Sequence, residues 1–91
     1  MTTTEPWTAE PIGDGKFKFT NVSGGRLAMI TLTPVQATRV EVEGFVAGDP
    51  HSVPSPVDAG ESFIATVRGP GVQVNATAVP AMRYVYWSLS I

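Results

Sequence analysis

A chain of 91 residues with a formal charge of −2 and no cysteine has room for one core and excludes disulfide reinforcement and thiolate chemistry. Its six basic residues, Lys16, Lys18, Arg26, Arg39, Arg68 and Arg83, are scattered. That spread argues against nucleic acid or an anionic membrane surface as a partner, because both need clustered cations.

The first residues, MTTTEPWTAEP, lack the basic and apolar regions of a secretory signal, and no apolar run reaches the ~20 residues a membrane helix requires. The expectation is a cytoplasmic protein with a flexible leader over 1–11 and a single domain over 12–91. Trp7 stands in that leader between Pro6 and Thr8, placed either to pin the first strand or to meet a partner.

Beyond the leader, polar and apolar residues alternate with the period of β-strands. Lys16 to Val22 sets Phe17 and Phe19 against Lys16, Lys18 and Thr20, and stops at Ser23-Gly24-Gly25. Leu27 to Thr33 is apolar on both faces, with Ala28, Ile30 and Leu32 alternating with Leu27, Met29 and Thr31. Thr38 to Glu43 shows the half-solvated pattern, Val40 and Val42 facing Arg39, Glu41 and Glu43. From Phe45 to Pro56, Gly48-Asp49-Pro50 and Pro54-Ser55-Pro56 obstruct ladder bonding. This predicts a loop crossing between sheets, with at most a short edge strand at His51 to Val53.

The alternation returns at Ser62 to Arg68, with Phe63, Ala65 and Val67 inward, and at Val72 to Val79, with Val72, Val74, Ala76 and Ala78 inward. In the last run, RYVYWSLSI, Val85, Trp87, Leu89 and Ile91 share the face expected to be buried. Tyr84 and Tyr86 stand with Ser88 and Ser90 on the other. About seven strands with turn signals every 8–12 residues predict an all-β, antiparallel sandwich; a small closed barrel is the alternative.

The stretches KFKFTNVSGG and VDAGESFIATV, followed by two alternating apolar strands, resemble the immunoglobulin-like and fibronectin-type-III-like modules of bacterial and phage proteins. The resemblance spans Ile12 to Ile91 and implies an immunoglobulin-like sandwich. A bias toward residues with GC-rich codons, Ala, Gly, Pro, Val and Arg, agrees with a bacterial or phage source.

Chemistry-bearing constellations are sparse. The single histidine, His51, lies near Asp49 in the proline-rich loop, an arrangement ordinary for a solvated loop and weak as an acid–base pair. No zinc spacing occurs, and Asp14, Asp49, Asp58 and Glu61 fit turn preferences better than a calcium loop. Two glycosylation-type tripeptides, Asn21-Val22-Ser23 and Asn75-Ala76-Thr77, carry no meaning without export. No catalytic residue, metal ligand or cofactor is expected. The candidate binding residues are the aromatics Tyr84, Tyr86 and Trp7. They point to a non-catalytic interaction or assembly module whose partner is a protein or a second copy of the chain, with carbohydrate stacking as the alternative.

Overall fold

The computed structural model describes residues 5–91. The described residues form seven strands and no helix: β1 (Trp7–Gly13), β2 (Lys16–Asn21), β3 (Arg26–Pro34), β4 (Arg39–Val42), β5 (Ser62–Arg68), β6 (Gly71–Val79) and β7 (Arg83–Ser90). They pair antiparallel in two sheets, a four-stranded one in the order β1-β2-β5-β4 and a three-stranded one in the order β3-β6-β7. This is the four-plus-three strand order of an immunoglobulin constant-type sandwich, and neither sheet closes into a barrel.

The inward positions follow the alternation. Phe19, Val40, Val42, Phe63, Ala65 and Val67 from one sheet meet Leu27, Ile30, Leu32, Val72, Val74 and Ala76 from the other. Strand β3 departs from strict alternation. Met29 takes a left-handed backbone at φ 51°, and the register against β6 shifts between Ala28 and Thr31. A bulge of this kind inserts one residue and reverses the phase. Leu27 and Ile30 therefore both reach the core, while Met29 is exposed.

Two expectations are corrected at the first strand and the long loop. The segment expected to be a leader over 1–11 becomes β1 from Trp7 onward, paired with β2 from Trp7↔Asn21 to Gly13↔Lys16. The connection between β4 and β5 joins neighbours in one sheet and does not change sheets. It detours along the free edge of β3: Leu32 N–H donates to the His51 carbonyl at 2.8 Å, Val53 N–H to Ile30 at 3.0 Å, and Leu27 and Val57 exchange bonds at 3.0 and 2.9 Å. The two prolines of Pro54-Ser55-Pro56 fall between these contacts, where no ladder donor is needed.

The strap is fastened by Asn21, whose side chain is wholly buried. Its Nδ2 donates to the Val57 and Gly25 carbonyls, each at 2.8 Å, and its Oδ1 accepts from Ser23 N–H at 2.9 Å and Ser23 Oγ at 2.7 Å. This amide thus ties the end of β2, the following turn and the strap together.

The opposite end closes around Gly69-Pro70-Gly71. Thr38 Oγ1 donates to the Val35 carbonyl at 2.5 Å and accepts from Gly71 N–H at 3.3 Å. A β-carbon at Gly71 would collide with the Leu89 carbonyl oxygen, which is backbone and cannot swing away. Gly71→Ala is expected to destabilise the fold by about 1–3 kcal/mol, the range for forced overpacking. A urea midpoint equal to wild type would refute the tight contact.

On the surface, Arg26 holds Asp58 in a two-point pair, Nε to Oδ1 at 2.5 Å and Nη2 to Oδ2 at 3.3 Å. The hydrogen bond from Arg26 lowers the Asp58 pKa below its ordinary value. A carboxyl depressed in the folded state adds stability above the unfolded pKa of about 3.9 and loses it as pH falls through the lower folded value. Wild type should therefore exceed Asp58→Asn in stability at neutral pH, and the gap should narrow below about pH 4. Because the pair is exposed, added salt should shrink the gap too. Paired urea titrations at neutral and acid pH check this.

Candidate functional site

The outer faces of the two sheets differ in chemistry. Thr8, Glu10, Lys16, Lys18, Arg39, Glu41 and Arg68 alternate with the buried residues of the four-stranded sheet, so that face is charged. Across the three-stranded sheet, the register sets Thr33, Gln73 and Ser88 in one row, Thr31, Asn75 and Tyr86 in the next, and Ala28, Thr77 and Tyr84 in a third. None of these nine carries a charge. Arg26, opposite Val79 at the end of β3, brings a charge to one end of the face and is engaged with Asp58, whereas Arg83 falls opposite the inward Ala78.

Tyr84 and Tyr86 dominate this neutral field, 61% and 64% exposed. Alternate positions on one strand put both rings on the same side, with centroids 5.5 Å apart and planes tilted by 39°. The Tyr84 hydroxyl donates to Asn75 Oδ1 at 2.7 Å, and Asn75 Nδ2 donates to Thr33 Oγ1 at 3.0 Å. A polar chain from β7 through β6 to β3 thus holds one ring of the pair while its faces stay open. Beside the rings, Pro6, Ser23, Arg83 and Val85 complete a shallow hollow of about 410 Å³.

Of the three aromatics expected to bind, the structure brings Tyr84 and Tyr86 together and removes Trp7. The Trp7 indole is only 1% exposed and sits edge-on to Phe63 at 5.3 Å, so it pins β1 and is not a surface contact. Trp87, expected in the core, is half-buried, and its Nε1 donates to Glu5. The remaining inward residues of β7, Val85 and Leu89, are also half-buried, and Ile91 is exposed. The reason is position: β7 ends its sheet and is flanked by β6 alone.

Sequence reasoning missed the contribution of β6 and β3 to the site. Asn75, Gln73, Thr31 and Thr33 are individually ordinary strand residues, and only the register makes them neighbours of the tyrosines. The signal available was the lack of charge at the outward positions of three separate strands, Arg26 at the start of β3 excepted.

Other clusters are occupied or plain. Asp49 Oδ2 accepts from Ser52 Oγ at 2.7 Å, and Glu61 Oε1 accepts from Asp58 N–H at 3.1 Å. Among the described residues no group of three or more His, Cys, Asp or Glu side chains is placed to hold a metal ion. A larger hollow of about 540 Å³ lies between the strap and β5, lined by Glu43, Pro54, Pro56, Glu61 and Phe63. One of its two carboxylates, Glu43, lies 3.9 Å from the Lys16 ammonium, and no exposed tyrosine or tryptophan lines it. The Asn21 amide is enclosed, so it is inaccessible to modification in the folded chain, whereas Asn75 lies on the neutral face.

Replacing both tyrosines, Tyr84→Ser with Tyr86→Ser, is expected to cost only about 1–2 kcal/mol of stability, the worth of cross-strand and ring–ring contacts at exposed positions. Urea unfolding checks it, and a loss well above that would mean the rings hold the sheet together. Comparisons with protein-family models, with curated proteins and with solved structures find no match to this chain.

Proposed function

We propose that this chain is a non-catalytic protein-interaction module that binds through the outer face of the three-stranded sheet and the strand β7. The observation that carries the reading is the exposed Tyr84–Tyr86 pair among uncharged cross-strand neighbours, with Arg26 and Arg83 only at the margin. Interface cores are depleted in charge and enriched in tyrosine, which buries a large rigid ring with few rotatable bonds to immobilise. Around the pair, Asn75, Gln73, Thr31 and Ser88 resemble the adaptable hydrogen-bonding surroundings of binding surfaces rich in Tyr, Ser and Asn. The other outer face, dense in hydrated charge, has neither property.

A photo-crosslinking amino acid placed at Tyr86 tests this in cells producing the protein, with Lys18 on the charged face as the control position. Adducts are expected from position 86 and not from position 18. Equal labelling from both, or none from position 86, would overturn the reading.

Carbohydrate binding is the second reading, favoured by the hydrogen-bonding groups of Asn75 and Gln73 beside an open ring face. With Trp7 in the core, the platform is reduced to two rings inclined to one another. Tyrosine fluorescence that stays flat through a titration with a glycan panel would remove it.

A further inference from the structure

Each sheet has two edge strands, and the four are unequally guarded. The free edge of β3 is covered by the strap from His51 to Val57. β4 has four residues, two of them charged, Arg39 and Glu41. β1 carries Glu10, Pro11 and a register shift between Pro11 and Gly13. All of these are devices that discourage further strand pairing. β7 has none of them: over eight residues it contains no proline, no register shift and no charge after Arg83.

The backbone of β7 is set for pairing. Ile91 N–H donates to the Pro70 carbonyl at 2.9 Å, and hydrogen-bonding direction alternates along an antiparallel strand. Leu89, Trp87 and Val85 therefore turn their backbone groups toward β6, while Ser90, Ser88, Tyr86 and Tyr84 turn theirs outward. Among the described residues no backbone hydrogen bond reaches that outer edge.

We propose that β7 pairs antiparallel with β7 of a second copy about a two-fold axis at Trp87, joining two three-stranded sheets into one. This rests on the reading of the tyrosine-bearing side as the binding side and names its partner. The side-chain pattern selects a copy of the same strand. In that register Tyr86 lies opposite Ser88 and Tyr84 opposite Ser90, so each tyrosine meets a small hydroxyl residue and no tyrosine meets a tyrosine. On the inner face Val85 lies opposite Leu89, and Trp87 meets its counterpart. These are the three side chains left half-buried at the sheet edge, and a second copy continues the core over them. Within the paired strands no like charges oppose one another between Tyr84 and Ser90, as an isologous contact requires. The Glu5 carboxylate bonded to Trp87 Nε1 lies beside the axis and must release the indole for the two rings to meet.

The test is the mass of the full chain by light scattering over a concentration series, with tryptophan emission followed on the same samples. Wild type is expected to rise from one chain to two, and emission to shift to shorter wavelength on the same curve. That shift reports Trp87, since Trp7 is already buried. Ser88→Lys places two like charges beside the axis and is expected to raise the dissociation constant at least about tenfold. Ser88→Pro removes an outward N–H that β6 does not use, a place where an edge strand tolerates proline, and should do the same. Either variant suffices if the other fails to fold. A wild-type monomer at every concentration, or a dimer indifferent to both substitutions, overturns the pairing. If the chain is monomeric while position 86 still crosslinks to a different protein, self-pairing falls and the interaction module stands; if crosslinks are also missing, both fall.

Discussion

Trp7→Ala is expected to remove about 3–5 kcal/mol of folding stability, the usual cost of truncating a buried tryptophan. For a single domain whose whole stability is about 5–15 kcal/mol, that loss threatens folding itself. The size of the effect comes from what the indole touches. Trp7 meets Phe63 edge-on at 5.3 Å, Phe63 stacks on Phe19 at 4.9 Å, and Phe19 meets Trp87 edge-on at 6.5 Å. Removing the first ring leaves a cavity at one end of this aromatic row and frees β1, whose other apolar inward residue is the small Ala9. Trp7→Phe is the informative companion. It keeps a ring against Phe63 and discards an indole N–H that has no hydrogen-bond partner, so it sheds a desolvation penalty along with some contact. Urea unfolding of the three proteins should rank wild type, Phe and Ala in that order with similar slopes. An alanine variant within about 1 kcal/mol of wild type would mean that residues before Pro11 contribute nothing to the domain.

The second large effect is expected at Asn21. Alanine there deletes four hydrogen bonds at once, those to the Val57 and Gly25 carbonyls and those from Ser23 N–H and Oγ, although the Val57 carbonyl keeps its bond from Leu27 N–H. Each lost hydrogen bond is worth about 0.5–1.5 kcal/mol net, and with water able to replace the partners of the exposed turn residues a total of about 2–4 kcal/mol is expected. The damage should also be local. Leu27 and Val57 amide protons, which bond each other's carbonyls across the strap, should exchange faster in Asn21→Ala than expected from the global loss. Amides at the centre of β6 should follow the global loss alone. Uniform acceleration of all amides would show that the amide does not act as the fastening of the strap.

What could be read from the sequence depended on how each strand is flanked. β2, β4, β5 and β6 each bury one face, so Phe19, Val40, Val42, Phe63, Val67, Val72 and Val74 were placed correctly by alternation alone. β1 escaped detection because an edge strand needs only one bonded side and one half-buried face. Its proline and its polar residues satisfy those terms while looking like a leader. In β3 the period itself was misleading. Leu27 and Ile30, three apart, share a face only because Met29 accepts a left-handed conformation, and nothing in a run of apolar residues marks which one will bulge. The strap posed a different difficulty. Its prolines signalled a break in hydrogen bonding, yet the bonds that matter are made by the residues on either side of them. At the candidate site the tyrosines were legible from their parity on β7, whereas the burial of Trp7 and the bond from Tyr84 to Asn75 depend on the register between elements distant in sequence.

The division of charge between the two outer faces gives the molecule a preferred posture at a charged boundary. On a cation-exchange resin or a negatively charged sensor surface at low ionic strength, attraction acts mainly through Lys16, Lys18, Arg39 and Arg68, four of the six basic residues, and it decays within about 10 Å at 0.1 M salt. The chain should therefore adsorb lying on its four-stranded sheet and hold the tyrosines toward the liquid. Simple electrostatic immobilisation would then display the tyrosine-bearing face uniformly, with no tag to orient it.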